Sequence, residues 1–324
     1  MEHRQQFKRN YMDKKQVIRE KLYKYGACGF YAYKCFLKSF YLYRIILGDR
    51  KVTEKKYAKI YHKLPNIDNP QTLNEKILWL KLNDHRNIHT LCADKYTVRY
   101  FLKERFGEEY LIPLLYVSDD WRDITYENIP NEKCIIKATH SQGDMLIVKD
   151  KSKVDIKKLR YDARCWLARN LYYETQEWQY KNCKPRIVIE KLLQDKEGHI
   201  PNDYKLHFIN GQLEFVYCSV GRETVNKRNI YDAEWKPLYF SWVEPYKDAS
   251  SIRGEEIPAP PSFAEMKRIG AEIAKDFAYV RVDFYDVDGK LYFGEITFHH
   301  GSGFDIFVPS HYDDDYGRLL KLPK

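Results

Sequence analysis

The chain has 324 residues, of which 44% are hydrophobic and 31% are charged, a composition typical of a globular protein with room for two lobes. The net charge of +9 is unevenly spread: residues 1–63 hold 17 Lys and Arg against 5 Asp and Glu, so this segment carries +12 and the remainder −3. The excess of Lys and Arg therefore lies outside the region that contains the candidate binding and catalytic residues.

The seven cysteines are odd in number, and none forms a Cys-x-x-Cys pair. This argues against a disulfide framework or zinc knuckle and predicts a reducing, cytoplasmic compartment. The first twenty residues are charged throughout, so no secretory signal is predicted. No apolar run reaches the roughly 18 residues that a membrane-spanning helix needs.

The sequence predicts helices over residues 1–63. Within them, residues 30–47 are aromatic and apolar but are interrupted by Lys34, Lys38 and Arg44 at helical spacing. Two interpretations stay open: a basic helix on an anionic membrane surface, or a helix packed on the body with its lysines at the solvent edge. Nucleic acid is not predicted as a partner, because no recognised binding motif accompanies the charge.

The next elements are helical. After a punctuated linker, Thr72 and Glu75 form a predicted capping box at the start of a helix. A second helix is predicted over residues 90–105, with Lys95 near its start. A short apolar strand, residues 111–117, follows.

Two strands of the central region carry a charged residue in an apolar context. Residues 134–137 (CIIK) end in Lys137 and precede a turn of small residues at 140–144 (HSQGD). Glu190 interrupts the apolar run of residues 186–193 (RIVIEKLL). We therefore treat Lys137 and Glu190 as candidate binding residues.

The C-terminal region begins with a predicted hairpin around Asn210-Gly211, a strong turn signal. A polar, basic stretch follows at residues 221–240. Ser262 and Glu265 predict a capped helix that leads into residue 279.

Residues 279–307 contain the densest set of carboxylates whose positions on predicted strands indicate a defined role. Two alternating strands surround Asp288-Gly289. A two-residue loop would turn Glu295 towards the core, so we predict a three-residue loop over 287–289 that pairs Asp283 with Phe293.

In that register one face carries polar side chains: Arg281, Asp283, Glu295 and Thr297. Two carboxylates held close on a sheet face repel one another unless a cation lies between them. The strands alone leave two possibilities: a divalent metal site, or an Arg281–Glu295 ion pair with Asp283 solvated.

Together these features suit a nucleoside triphosphate. A lysine neutralises phosphate, turn amides cover phosphates, a strand edge reads adenine, and carboxylates hold magnesium on phosphate oxygens.

The ordered set of motifs is similar to the ATP-grasp superfamily, and within it to the teichuronopeptide-biosynthesis-type proteins of bacterial surface-polysaccharide gene clusters. The resemblance extends from about residue 64 to the C-terminus. It is carried by these stretches: NPQTLNEKILWLKLND, ADKYTVRYFL, EEYLIPLL, CIIKATHSQGD, KPRIVIEKLL, DYKLHFINGQ and VRVDFYDVDGKLYFGEITFHHGSGF.

The resemblance implies an α+β ATP-grasp fold, with two α+β lobes gripping ATP and an N-terminal helical extension. The predicted segments are the basic aromatic helices (1–63), a helical region (64–130), an N-lobe with a lid (131–193) and a C-lobe with a metal site (194–324).

The resemblance also implies roles for individual residues. ATP would be bound by Lys95, Lys137, Ser141, Gly143, Glu190, Lys191 and Leu192, with 140–144 as the lid. Mg²⁺ would be bound by Asp283, Glu295 and Thr297. Two departures stand out: the lid has a single glycine, and Thr297 stands where the superfamily pattern Glu-x-Asn has an amide, a stronger ligand.

The implied chemistry joins a carboxylate to an amine through an acyl phosphate. Lys205, Arg228 and Arg281 are the predicted catalytic residues. Predicted substrate contacts are Arg222, Lys227, His299 and Ser302. The implied partners are an acidic sugar or polysaccharide precursor and an amine donor, and the implied location is cytoplasmic, with peripheral contact of residues 1–63 at the inner face of the membrane as an open interpretation.

Two other functions remain open. Asp286-Val287-Asp288 fits the Asp-x-Asp pattern of glycosyltransferases, although it lies in a predicted tight turn. A non-catalytic ATP-grasp component is the third possibility, because the lid is poor in glycine.

Overall fold

The structure is a computed structural model that describes residues 14–221, 226–245 and 253–323. Its ten described helices are α1 Lys14–Leu22, α2 Gly26–Leu47, α3 Asp49–Tyr61, α4 Leu73–Asn83, α5 Asn87–Ala93, α6 Val98–Phe106, α7 Ile156–Leu167, α8 Tyr172–Thr175, α9 Phe263–Ala274 and α10 His311–Leu319. None of these described helices combines the length and the apolar character that crossing a bilayer requires.

The described strands pair antiparallel throughout. They are β1 Leu114–Ser118, β2 Cys134–Ala138, β3 Met145–Val148, β4 Ile187–Lys191, β5 Asp203–Ile209, β6 Gln212–Val220, β7 Lys227–Tyr231, β8 Pro237–Leu238, β9 Ser241–Val243, β10 Tyr279–Val287, β11 Lys290–Thr297 and β12 Ile306–Val308. The predicted α+β class is confirmed.

The chain divides into two compact units. The first comprises the residues up to Ile46, Leu114–Asn170 and Lys184–Lys191. The second comprises Leu47–Pro113, Leu171–Cys183 and the residues from Leu192 onward.

The first unit is built on a four-stranded sheet in the order β1-β4-β2-β3. One face of the sheet packs on α7, where Ile136, Ile189 and Trp166 share a buried cluster. A second cluster joins α7 to α2, with Tyr33 and Leu37 against the helix that carries Tyr161. Helices α1 and α2 are thus part of this unit, and one side of α2 packs on α7.

The second unit is built on a six-stranded sheet in the order β11-β10-β5-β6-β7-β8. One face packs on α9 through a large apolar cluster that includes Leu206, Val282 and Ile296. At one end, the opposite face is covered by α4 and by the small sheet β12-β9. The rest of that opposite face is polar, and it carries the candidate site.

Local signals fixed several boundaries correctly. The capping box is present: Thr72 accepts from the Glu75 amide, and the Glu75 side chain accepts from the Thr72 amide. The hairpin turn is also confirmed, because Asn210 and Gly211 both have positive φ (47° and 83°).

Two helix predictions were wrong. The single helix expected over residues 90–105 is divided between α5 and α6, because the Asp94 carboxylate accepts from two amides at the start of the next turn (3.0 and 2.9 Å). Ser262 does not cap α9 with its side chain; its hydroxyl donates to Asp286 instead.

Candidate functional site

The polar face of the large sheet aligns side chains from four neighbouring strands. Asp283 on β10 lies opposite Glu295 on one side and Lys205 on the other. Lys205 in turn lies opposite Tyr217 on β6. Residues directly opposite in an antiparallel ladder point to the same face, so this row is set by the strand register.

The predicted register of the β10–β11 hairpin was wrong, because Asp283 pairs with Glu295 and Phe293 lies in the core opposite Phe284, although Asp283 and Glu295 do share the polar face as expected. Val287 pairs with Lys290, which leaves a two-residue loop at Asp288-Gly289 with positive φ at both positions (53° and 86°). A bulge between Asp283 and Phe284 then shifts the pairing by one residue. The three-residue loop was predicted because it would place Glu295 on the polar face. The bulge has the same effect with the shorter loop.

Two cations hold the buried Asp283, which is 1% exposed. Arg281 donates from Nε and Nη2 to its two oxygens (2.7 and 2.8 Å), and Lys205 donates to Oδ2 (2.6 Å). Arg281 also donates to Glu295 (2.9 Å), and Lys205 also donates to Asp203. The ion-pair interpretation of Arg281 and Glu295 is therefore observed, but Asp283 is buried, not solvated.

The pKa shifts follow from this burial. Burial acts to lower the pKa of Lys205, but Asp203 and Asp283 outweigh it and raise the value above that of an ordinary lysine. Burial raises the pKa of Asp283, against the opposing effect of Arg281 and Lys205. For Arg281, burial is again outweighed by its carboxylate partners, so its pKa is raised and it stays charged.

A histidine extends the cluster. His300 Nδ1 lies 2.9 Å from Nη1 of Arg281, and its Nε2 lies 3.4 Å from Asp305. Burial lowers the pKa of His300, with Asp305 opposing, and this favours the neutral ring. A neutral Nδ1 accepts the hydrogen bond from Arg281, which fixes the guanidinium from the side away from Asp283.

The donor set fits a magnesium ion that arrives with phosphate. Among the described residues, the cluster contains the cations of Arg281 and Lys205 and four carboxylates, those of Asp203, Asp283, Glu295 and Asp305. Oδ1 of Asp203 is buried and has no hydrogen-bond partner in the described part of the chain. Mg²⁺ is usually bound by one or two carboxylates plus substrate oxygens, so these acceptors fit such an ion. Among the described residues, no cluster of three or more metal-binding side chains occurs.

The remaining residues predicted for this region are dispersed. Thr297 lies opposite Arg281, with its hydroxyl 3.5 Å from Glu295. Arg228 on β7 places its guanidinium 5.5 Å from the centre of the Tyr217 ring, and the strands β5 and β6 separate it from the strand of Asp283. Lys227 precedes it at the edge of β7, half-buried. Arg222 lies outside the described residues.

The loop after β11 is held from beneath by a second buried network. Ser302 donates its hydroxyl to Glu177, and Gln179 donates to the same carboxylate (2.9 Å). His299 Nδ1 lies 3.2 Å from the Gln179 amide, and Lys81 donates to the Ser302 carbonyl (2.9 Å). His299 and Ser302 were predicted as substrate contacts; here their polar atoms support the loop, and the substrate role stays a prediction.

Lys81 gives this network a pH signature. Burial, then Lys56, lowers its pKa from 10.5 to about 7. Below pH 7 both folded and unfolded chains are protonated at this site, whereas between pH 7 and 10.5 only the unfolded chain is. The free energy of unfolding should therefore rise with pH by up to about 1.4 kcal/mol per unit across that window.

Urea unfolding at pH 7 and pH 9 tests this, with Lys81→Met compared against wild type. We expect wild type to gain stability relative to Lys81→Met as the pH rises. The exposed Lys55→Met is the matched control and should show no such change. Equal pH dependence in wild type and Lys81→Met would contradict the assignment.

In the first unit, the sheet face that turns away from α7 carries the ion pair of Lys137 and Glu190. Lys137 Nζ lies 2.6 Å from Glu190, with the two side chains 17% and 5% exposed. Ile135 and Val188 share that face, and Met145 and Ile147 on the edge strand β3 continue it with large exposed side chains. The arrangement is a mostly apolar surface with one buried charge pair.

The 140–144 turn is anchored by its own polar groups. Ser141 donates to Asp144 (2.8 Å), and Asp144 also accepts from Arg19 (3.1 Å) and Arg169 (2.6 Å). Gly143 has φ +75°, and a side chain there would meet no atom within 4 Å. The exposed part of the predicted lid is thus reduced to Gln142 and Gly143.

Three other predicted ATP ligands have varied settings. Lys95 is half-buried in the turn between α5 and α6. Lys191 is exposed at the end of β4, and Leu192 is buried. Their roles in nucleotide binding stay predictions.

Sequence reasoning missed several members of the site. Asp203 was detectable, because it lies two residues from Lys205 on the same strand and therefore on the same face. Glu177 and Lys81 had no local signal, because each contacts Ser302, more than 100 residues away. His300 and Asp305 lie five residues apart, and neither was among the predicted site residues.

The two aspartates of the Asp-x-Asp motif accept hydrogen bonds that stabilise the hairpin turn. Asp286 accepts from the amides of Ser262 (2.9 Å) and Gly289 (2.8 Å), and Asp288 accepts from the Lys196 amide (3.0 Å). These bonds hold the hairpin end, and nothing in the geometry of the two carboxylates favours a glycosyltransferase.

Comparison with known proteins adds a family. A model of the family described as TupA-like ATP-grasp matches residues 75–321. No curated protein matches the chain.

Solved structures align with low identity. A D-alanine–D-alanine ligase from Bacillus anthracis complexed with ATP is 14% identical, with 71% of this chain and 66% of that one covered, at a TM-score of 0.39. The Helicobacter pylori ligase of the same name is 17% identical (72% and 62% covered, TM-score 0.37). The ATP-grasp ligase PsnB with a phosphomimetic precursor variant, Mg and ADP is 10% identical (73% and 60% covered, TM-score 0.38). The chain thus spans less than two thirds of the length of each of these three proteins.

Proposed function

This chain belongs to the TupA-like ATP-grasp family, and we propose that it is an ATP-dependent ligase that joins a carboxylate to an amine with release of ADP and phosphate. The predicted family and the α+β ATP-grasp fold are confirmed. We propose as its substrates an acidic sugar or polysaccharide precursor and an amine donor, in the assembly of a bacterial surface polysaccharide in the cytoplasm.

One observation carries the proposal: the buried pairing of Asp283 with Arg281 and Lys205 beside Glu295 on one sheet face. Among the described residues, four carboxylates are gathered around these two cations, and the buried Oδ1 of Asp203 accepts no hydrogen bond there. Carboxylates held this close on one sheet face favour the arrival of a further positive charge during function.

Asp283 and Glu295 would hold Mg²⁺, with Thr297 as a weak additional ligand; when bound, the ion supplies charge neutralisation on phosphate oxygens. Arg281 and Lys205 provide fixed positive charge next to these carboxylates. Both are held by carboxylates and neither needs to be reoriented from solvent, so they are preorganised for charge that develops on a transferred phosphoryl group. Arg228, stacked over Tyr217, is our candidate for orienting the acidic substrate, with Lys227 and Arg222 beside it in sequence.

In the first unit we propose that adenine contacts the apolar face formed by Ile135, Val188 and Ile147. Lys137 ends the strand on that face and supplies the positive charge for phosphate. Glu190, which it holds at 2.6 Å, supplies a hydrogen-bond acceptor at the edge of the same face. Lys95, Ser141, Gly143, Lys191 and Leu192 complete the proposed ATP contacts.

The proposed reaction has two steps. A carboxylate oxygen of the acidic substrate attacks the γ-phosphorus of ATP, and the bond to the β-phosphate oxygen breaks to release ADP. The amine then attacks the acyl carbon of the acyl phosphate, losing a proton as phosphate departs. The products are an amide, ADP and phosphate.

The test is incubation of the full chain with ATP, Mg²⁺, a panel of uronic-acid acceptors and a panel of amino acids. We expect ADP and phosphate to form in equal amounts only when both an acid and an amine are present. Coupled detection of ADP and of phosphate measures this directly.

Two outcomes would contradict the ligase. Formation of AMP and pyrophosphate would mean attack at a different phosphorus, and absence of nucleotide binding would favour the non-catalytic component. Transfer from a sugar nucleotide without ATP would support a glycosyltransferase; in that case Asp286→Asn and Asp288→Asn should remove activity.

A further inference from the structure

Helix α2 has two sides, and only one of them is covered. Phe30, Tyr33 and Leu37 are buried against α7 in the first unit. The exposed part of the helix includes Tyr31, Lys34, Lys38, Leu42 and Ile45. Their spacing of three, four, four and three residues places them in one row along the helix. We call these five residues, with the adjacent Ile46, the outer row.

The apolar members of the outer row are exposed well beyond ordinary surface residues. Tyr31 is 58% exposed, Leu42 59%, Ile45 58% and Ile46 74%. Single exposed apolar side chains are common in soluble proteins, but a contiguous set on one helix face marks an interaction surface.

The charge of the same surface has one sign. Lys34 and Lys38 stand in the middle of the row and are exposed. No Asp or Glu occurs between residues 21 and 48, and neither lysine pairs with a carboxylate in the described part of the structure. The occupant of this surface therefore needs negative charge at its surface and apolar material just beneath.

We propose that the outer row of α2 binds an anionic lipid surface, with the helix lying in the plane of the membrane interface. Leu42, Ile45 and Ile46 enter the boundary between headgroups and acyl chains. Lys34 and Lys38 reach lipid phosphates by extending their side chains towards the headgroups. The helix is about 33 Å long at 1.5 Å per residue, and its inner side remains packed on α7.

A second copy of this chain fits the same surface poorly. A two-fold contact brings identical patches together, so the lysines at the centre of the row would face the same lysines of the other copy. Like charges in such positions oppose association. The lipid surface removes this conflict because its charge is opposite.

Vesicle flotation of the full chain tests the proposal, with phosphatidylcholine vesicles that contain or lack phosphatidylglycerol. We expect binding to the anionic vesicles at low salt, weakening at high salt, and little binding to pure phosphatidylcholine. Lys34→Glu/Lys38→Glu should weaken binding to anionic vesicles on the order of ten- to a hundred-fold. Ile45→Ser/Ile46→Ser should weaken binding at both salt concentrations.

Matched variants exclude general effects. Lys153→Glu/Lys157→Glu makes the same change in charge at exposed positions of the first unit, and Leu64→Ser/Leu319→Ser removes exposed apolar side chains elsewhere. These should bind like wild type. Nucleotide binding should be unchanged in every variant, which confirms folding.

Three results would overturn the proposal. The first is wild-type protein that stays off anionic vesicles at low salt. The second is an equal loss of binding in the matched variants. The third is a dimer in size-exclusion chromatography that Ile45→Ser/Ile46→Ser dissociates, because the outer row would then be a contact between copies.

Discussion

Glu295→Gln should lower magnesium-dependent turnover of ATP by roughly a hundred- to a thousand-fold while leaving the chain folded. Glu295 is the most accessible carboxylate of the cluster, with its side chain 40% exposed, and only one of its oxygens bonds to Arg281 (2.9 Å). Its removal costs little stability, because the buried charge of Asp283 keeps both of its cations. The loss should therefore fall on function.

The measurement is a magnesium titration of ADP release, alongside thermal unfolding. We expect a higher magnesium concentration at half-saturation and an almost unchanged unfolding temperature. Asp288→Asn is the control: it removes a carboxylate from the same hairpin, at its exposed turn, and should leave turnover near wild type. A normal magnesium dependence in Glu295→Gln would show that Glu295 serves only as an ion-pair partner.

The second large effect is expected at Lys137. Lys137→Met removes the ammonium that lies 2.6 Å from Glu190, whose side chain is 5% exposed. Removing one partner of a buried ion pair costs on the order of 3 kcal/mol of unfolding free energy. ATP affinity should also fall by about ten- to a hundred-fold, as for one lost hydrogen bond to a charged group.

A double variant separates the two losses. Lys137→Met/Glu190→Gln removes both charges, so stability should return towards wild type, whereas ATP affinity should stay low. Urea unfolding and calorimetric ATP titration of wild type, Lys137→Met, Glu190→Gln and the double variant form the complete cycle. If affinity returned together with stability, the pair would be structural and the proposed adenine face would lose its main support.

The β10–β11 hairpin shows how a sequence can predict a face without predicting a register. Alternation along a strand has a period of two, and it places Arg281 and Asp283 on one face of β10. On β11 the bulge interrupts the alternation, so Phe293 lies in the apolar core and Glu295, two residues later, lies on the polar face. The pairing depends on the loop and on any bulge. Here the loop was one residue shorter than predicted and the bulge before Phe284 compensated, so two errors cancelled.

Signals that act within a few residues were readable, and those that connect distant segments were not. The capping box at Thr72 and the turn at Asn210-Gly211 are local, and both were found. Ser262 was given the same capping role, but a partner 24 residues away, Asp286, takes its hydroxyl. The Glu177–Ser302 contact spans 125 residues and left no trace in any local pattern.

The contacts of Arg19 affect where a stable fragment of this chain could begin. The family match begins at residue 75, and a profile boundary of this kind is often taken as the edge of an autonomous fragment. Yet Arg19 on α1 is one of the two guanidinium groups that neutralise Asp144, and α2 covers Tyr161 and Cys165. A fragment that starts at the profile boundary would keep every residue proposed for catalysis and lose part of the support of its own 140–144 turn. The unit of recognisable ancestry and the unit of folding are therefore different stretches of this polypeptide.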